Sequence, residues 1–212
     1  MTGIELIALA ASTSLLAGWR LYLVTLVTGL AMKFGYVALP EQLQALDVLA
    51  NNWVLGIAAI GTLAEFFADK IAWVDSAWDS VHAFIRPVGG ALLSLAIVDA
   101  GDPAWQIASF LAGGGAALVA HAGKAGASTL VNASPEPYSN IAVSTMEDVA
   151  TGGLLALAIA NPIAAALIAA ILVFLSIWLV FKARRAIRRV MEHLTPARPM
   201  KDVTPPQQPP AA

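Results

Sequence analysis

Apolar runs alternate in this chain with short polar stretches, and several runs are long enough to cross a lipid bilayer. Residues 162–181 carry no charge at all. A bilayer core of about 30 Å takes roughly 20 helical residues. In hydrocarbon every backbone N–H and C=O must be paired within the chain, so such runs are helices. The rest of the sequence follows the same constraint. Only 12% of residues are charged, against roughly 25% in an average soluble domain, so lipid has to cover much of the surface. The expected fold is an all-α polytopic membrane helix bundle, one domain over residues 1–190.

About six spans are expected: residues 4–34, with Arg20 near the middle, then 53–67, 87–98, 104–120, 141–160 and 162–181. The first run has an apolar stretch like a secretory leader, but no Lys or Arg precedes it, Glu5 interrupts it, and it continues past Arg20, so it reads as a span. Residues 41–50, with Leu43, Leu46, Val48 and Leu49, suit a short surface helix. Lys182, Arg184, Arg185, Arg188 and Arg189 follow the last span, and the positive-inside rule places them in the cytoplasm. Six spans then put both termini there, with Lys33 as an exception at an outer end. Residues 191–212 are rich in Pro and Gln and are expected to form a disordered cytoplasmic tail. The absence of cysteine excludes disulfides and thiolate metal sites. A net charge of -2 gives no case for nucleic acid. Motifs of phosphate loops, serine hydrolases and zinc proteases are absent.

Two stretches share an order. In 53–97, Trp53 opens an apolar run leading to Lys70, a polar loop and Gly89-Gly90; in 105–159, Trp105 leads to Lys124, a polar loop and Gly152-Gly153. Carriers are often built from such repeats with the site between them. The alternative is chance similarity between two Ala- and Leu-rich stretches. The glycine pairs and Gly113-Gly114-Gly115 permit close helix crossing and a homo-oligomer.

The polar stretches carry whatever chemistry the chain has. Glu65, Asp69 and Lys70 close the second run, with Glu65 on the apolar side of Phe66-Phe67. Solvated charge at a helix end is the plain alternative, and Lys70 reaches the interface by snorkelling. Between 71 and 86, Ile71, Val74, Trp78, Val81 and Ile85 form one helical stripe, and Asp75, Asp79, His82 and Arg86 form its neighbour. This predicts an amphipathic helix at the interface, with Trp73 and Trp78 at headgroup depth. No cofactor is evident, but Asp75, Asp79 and His82 would suit a divalent cation; otherwise they form a ladder of ion pairs on a wet face. His121 and Lys124 close the fourth run, where His121 would relay protons or cap a helix. Pro135 and Pro137 around Glu136 break any helix over 132–140. That segment either presents Glu136 and Asn140 to a solute at a re-entrant site or is an ordinary turn. Glu147-Asp148 lies inside the fifth run. Adjacent acids at that depth need a proton or a cation beside them, and Arg20 is the natural counter-ion.

The strings Glu65-x-x-Ala68-Asp69-Lys70-Ile71, Asp75-x-x-Trp78-Asp79-x-x-His82, Ile85-Arg86-Pro87 and Asn132-x-Ser134-Pro135-Glu136-Pro137-x-Ser139-Asn140, followed by Ser144-x-x-Glu147-Asp148, resemble a bacterial membrane family catalogued as domain of unknown function 4126. The resemblance covers roughly residues 18–187. The chain departs from the family pattern at Ala72, where proline is usual, and near Ser128, where arginine is frequent. It implies an integral protein of the bacterial inner membrane and supplies no activity.

The residues themselves suggest a carrier or channel for a small ion or polar solute. Glu65, Asp69 and Lys70 would face Glu136, Asn140, Glu147 and Asp148, with Arg20, His121 and Lys124 setting the field. Two other classes compete. One is a metal-dependent enzyme acting on lipid headgroups through Asp75, Asp79 and His82. The other is a structural or partner-binding protein whose charges lock its helices together.

Overall fold

A computed structural model describes residues 2–35, 41–98, 101–132 and 137–194. Its helices in chain order are α1 (Gly3–Lys33), a 3-10 helix (Glu41–Ala50), α2 (Asn52–Ala68), α3 (Ala72–Val98), α4 (Pro103–Asn132), α5 (Pro137–Ala160) and α6 (Pro162–Leu194). Among the described residues, five helices are long and apolar enough to cross a membrane, and α2, at 17 residues, is shorter. The chain is thus the all-α bundle that its apolar runs require.

Local chemistry sets the helix starts. Thr2 and Glu5 form a capping box at α1. The Asn51 side chain accepts from Trp53 N at 2.9 Å. Helices α4, α5 and α6 each open on proline, which has no N–H to leave unpaired in a first turn. Asp102 and Asn161, just before Pro103 and Pro162, accept from Ala104 N at 2.7 Å and Ala164 N at 3.1 Å.

Helix α1 is the hub and packs against each of the other five α-helices. Its core face, including Leu16, Ala17 and Val24, meets Leu93 and Ile97 of α3 and Leu155 and Ala158 of α5. Glycine lets α1, α3 and α4 approach closely. A Cβ on Gly18 would lie 2.3 Å from Ala117 O, and one on Gly113 would lie 2.3 Å from Ser94 Cβ. Ser14 donates to Gly90 O at 3.0 Å across the α1–α3 contact. Gly115, Gly152 and Gly153 have open space around them, so not every glycine of the expected crossing motifs is used.

Several expectations change. The surface helix over 71–85 and the short span from Pro87 are one helix, α3, with Pro87 in its interior. Its polar stripe is not a wet face. Asp75, Asp79, His82 and Arg86 are buried, while Trp73, Val81, Phe84 and Val88 are exposed. In lipid the apolar side of an amphipathic helix faces out and its charges face the bundle. Residues 41–50 also do more than lie on a surface, since Leu46 and Leu49 join the core. Helix α6 continues to Leu194, into the segment expected to open the tail, and 195–212 lie outside the described residues. Each of the two similar stretches contributes two helices, α2 and α3 from the first and α4 and α5 from the second. They differ in detail: Lys70 sits in the turn after the 17-residue α2, and Lys124 sits within the 30-residue α4. The polar stretch 65–86 contains no break beyond the turn from α2 to α3. The broken span is α1, whose backbone leaves helical geometry at Arg20 (φ -142, ψ 71).

Gly113→Ala should destabilise the bundle by about 1–3 kcal/mol, because the added methyl overpacks a filled contact. Gly115→Ala, facing open space, should be neutral or slightly stabilising. Unfolding midpoints in detergent check both.

Candidate functional site

The inward face of the bundle holds an ion-pair network that joins α1, α2 and the turn after it, α3, α4 and α5. It begins at the break in α1. There Arg20 pairs with Asp69, which lies in the turn after α2. Its Nε lies 3.1 Å from Asp148 Oδ1, and its Nη2 lies 3.5 Å from Glu147 Oε2. Nη2 also donates to Ser144 O at 3.1 Å. A second hub is Arg86 on α3. It donates to Glu65 Oε1 at 2.5 Å, Asp79 Oδ1 at 3.1 Å and His121 Nδ1 at 2.8 Å. Lys124 on α4 links the hubs, with Nζ 3.1 Å from Asp69 Oδ2, 3.7 Å from Asp79 Oδ1 and 3.9 Å from Glu147 Oε2.

All three cations are buried, as are Glu65, Asp69 and Asp79. Glu147 and Asp148 keep side-chain exposures of 21% and 25%, so the network comes to the surface at α5. Among the described residues, five carboxylates meet three cations in these pairs. Glu65 Oε2, Asp69 Oδ1 and Asp148 Oδ2 are buried with no hydrogen-bond donor in reach. Desolvation of each ion costs several kcal/mol, which mutual attraction offsets only where geometry and hydrogen bonding are good. In the turn, burial alone would raise the Asp69 carboxyl, but Lys124 and Arg20 outweigh it and hold the group below its usual range. Burial draws the neighbouring Lys70 ammonium below its usual range, against the pull of Asp148.

The two histidines have defined roles. A guanidinium only donates, so His121 Nδ1 accepts from Arg86, and Nε2–H donates to Asp79 O at 3.1 Å. The ring is therefore neutral, and a proton on Nδ1 would displace Arg86. His82 turns the other way. Its Nδ1 donates to Trp78 O at 2.8 Å, its Nε2 meets the Tyr22 hydroxyl at 3.0 Å, and it stacks on Trp78 with ring centroids 4.3 Å apart.

Of the residues singled out in the sequence, Arg20, Glu65, Asp69, Lys124, Glu147 and Asp148 share this network, and His121 touches it. Lys70 lies at its edge, donating to Phe66 O at 3.2 Å and Ser144 Oγ at 3.3 Å. Glu136 and the side chain of Asn140 lie outside the described residues. Asp75, Asp79 and His82 do not converge: Asp79 faces Arg86 while His82 faces Tyr22. Among the described residues no three His, Cys, Asp or Glu side chains are placed to hold a metal ion. Sequence reasoning placed Arg86 only on a wet stripe and did not give Tyr22 or Ser144 a site role. Arg86 had a signal, since it lies two helical turns from Asp79 on one stripe. Tyr22 had none.

Arg86→Gln should cost about 3–5 kcal/mol, because it strands the buried Glu65 charge. Adding Glu65→Gln should recover part of that loss. Denaturant unfolding of the single and double variants in detergent measures both.

The family model described as Domain of unknown function (DUF4126) matches residues 7–182, and the chain belongs to that family. No curated protein and no solved structure matches it.

Proposed function

We propose that this family member carries a small ion or polar solute across its membrane through the network around Arg20, Lys124 and Arg86. The observation that carries the reading is the surplus of acid in the buried network, five carboxylates against three cations. A low-dielectric interior does not hold uncompensated charge, so the network takes up protons or a cation to reach balance. Ionisable groups at membrane depth mark ion and proton pathways by default. The break in α1 at Arg20 adds support, since spans interrupted beside a charged site are a recurring feature of carriers. Glu147 and Asp148, the partly exposed members, are the point of entry, and Arg20 and Lys124 are the groups whose pairing changes when charge enters or leaves. The inner membrane, with both termini in the cytoplasm, is the setting that the basic end of α6 favours.

A structural role is the competing reading. It is favoured by the direct pairing of Arg20 with Asp148 and Asp69, which would serve equally to lock α1 against α5. Flux separates the two. In proteoliposomes loaded with a pH-reporting dye and assayed with sodium, potassium and methylammonium, the wild-type protein should carry protons or at least one of these cations. The Glu147→Gln/Asp148→Asn double variant should lose at least about tenfold of that flux while still folded, because it removes the acids at the entry. Unchanged flux in a folded double variant would reject the carrier reading.

A further inference from the structure

Beside the network, a cleft of about 320 Å³ lies between α3 and α4. Asp75, Asp79, Ser80, His121, Ser128 and Thr129 are among the side chains that line it. Both aspartates are more than nine-tenths buried, at 1% and 7% exposure, so this is a built polar wall within the fold. The lining has a consistent chemical character. Among the described residues its charges are the two carboxylates, and no Lys or Arg lines it. Ser80 donates its hydroxyl proton to Ser76 O at 2.8 Å and Thr129 donates to Ala125 O at 2.7 Å, one turn back in each helix. Those two oxygens therefore offer only lone pairs to anything in the cleft. His121 has both ring nitrogens engaged, one by Arg86 and one by Asp79 O, so it is not a ligand.

A wall of carboxylates and hydroxyl lone pairs repels anions and suits a cation or a donor. Multiple charge is disfavoured, because Arg86 and Lys124 stand behind Asp79 Oδ1 at 3.1 and 3.7 Å. We infer that the cleft between α3 and α4 binds a small monovalent cation, held by Asp75, Asp79 and the hydroxyls of Ser80 and Thr129. Alkali and ammonium-type ions share this chemistry. The inference deepens the carrier reading and rests on it for its purpose, although binding is measurable without flux. A cation on Asp79 shares with Arg86 and Lys124 the charge of one carboxylate. Occupancy of the cleft thereby loosens Lys124 toward Asp69 and Glu147, which ties the cleft to the buried network.

The test uses the full chain in lipid nanodiscs. Its unfolding midpoint is followed against sodium, potassium and methylammonium chloride, with N-methylglucamine chloride keeping ionic strength constant. At least one cation should raise the midpoint in a saturable way, through preferential binding to the folded state. A response to sodium or potassium alone assigns an alkali ion, and a response to methylammonium alone assigns an ammonium group. Asp75→Asn should weaken the apparent affinity by about tenfold or more, the usual loss of one charged contact. Ser80→Ala/Thr129→Val, which retains the carboxylates, should weaken it by roughly a few-fold. If Asp75→Asn does not fold, the hydroxyl variant decides. No saturable response in the wild type, or one that is the same in the folded variants, overturns the inference. Flux without cation binding would remove this cleft and leave the carrier reading. Cation binding without flux would leave the cleft and remove the carrier.

Discussion

Arg20 is a guanidinium near the middle of the first span, and the arrangement of the bundle follows from keeping it there. An isolated charge at that depth costs at least about 2.5–3.5 kcal/mol, even on the mildest scale. The chain meets it from two directions. Asp69 comes from the turn that joins α2 to α3, and Asp148 and Glu147 come from α5. Helix α1 departs from helical geometry at this residue. Three separate parts of the chain are thereby held at one point, and α1 becomes the element on which the other helices pack. Lys124 extends the arrangement to α4 and connects it to the second hub at Arg86.

The two surfaces of α3 show the same constraint at work. A soluble protein would bury Trp73, Val81 and Phe84 and expose Asp75, Asp79 and Arg86. Here the order is reversed, since lipid accepts the first set and rejects the second. The interior can then be polar only if helices come close enough to pair their charges. Gly18 against Ala117 O and Gly113 against Ser94 supply that closeness. Packing and electrostatics are therefore not separate contributions in this protein. The Gly113 contact holds α3 against α4, across which Arg86 reaches His121.

Much of this was legible from residues alone. The run over 162–181 and the low charge content required a membrane bundle, and Glu147-Asp148 inside an apolar run pointed to Arg20. The family strings were specific enough to identify the membership that the match over residues 7–182 shows. Other features were not legible because they depend on which way a helix face turns. The spacing of Asp75, Asp79, His82 and Arg86 gives a stripe but does not say whether water or the bundle lies beside it. Pro87 suggested a boundary, yet α3 runs through it. The Tyr22–His82 contact joins residues 60 positions apart, with no local pattern to announce it. Nothing in the residues around Arg20 marked a break in α1.

The central claim is that the acid-rich network connects to water and exchanges charge with it. The chain has no cysteine, so single cysteines report access without background. Cysteines at Ala125 and Thr129 on α4 and at Ser144 and Thr151 on α5, with lipid-facing Val149 as a control, would be treated from each side with a membrane-impermeant thiol reagent. The account predicts labelling at the inward positions down to the depth of Ser144, and none at Val149. Labelling that stops at the helix ends would show a sealed charged core and contradict it.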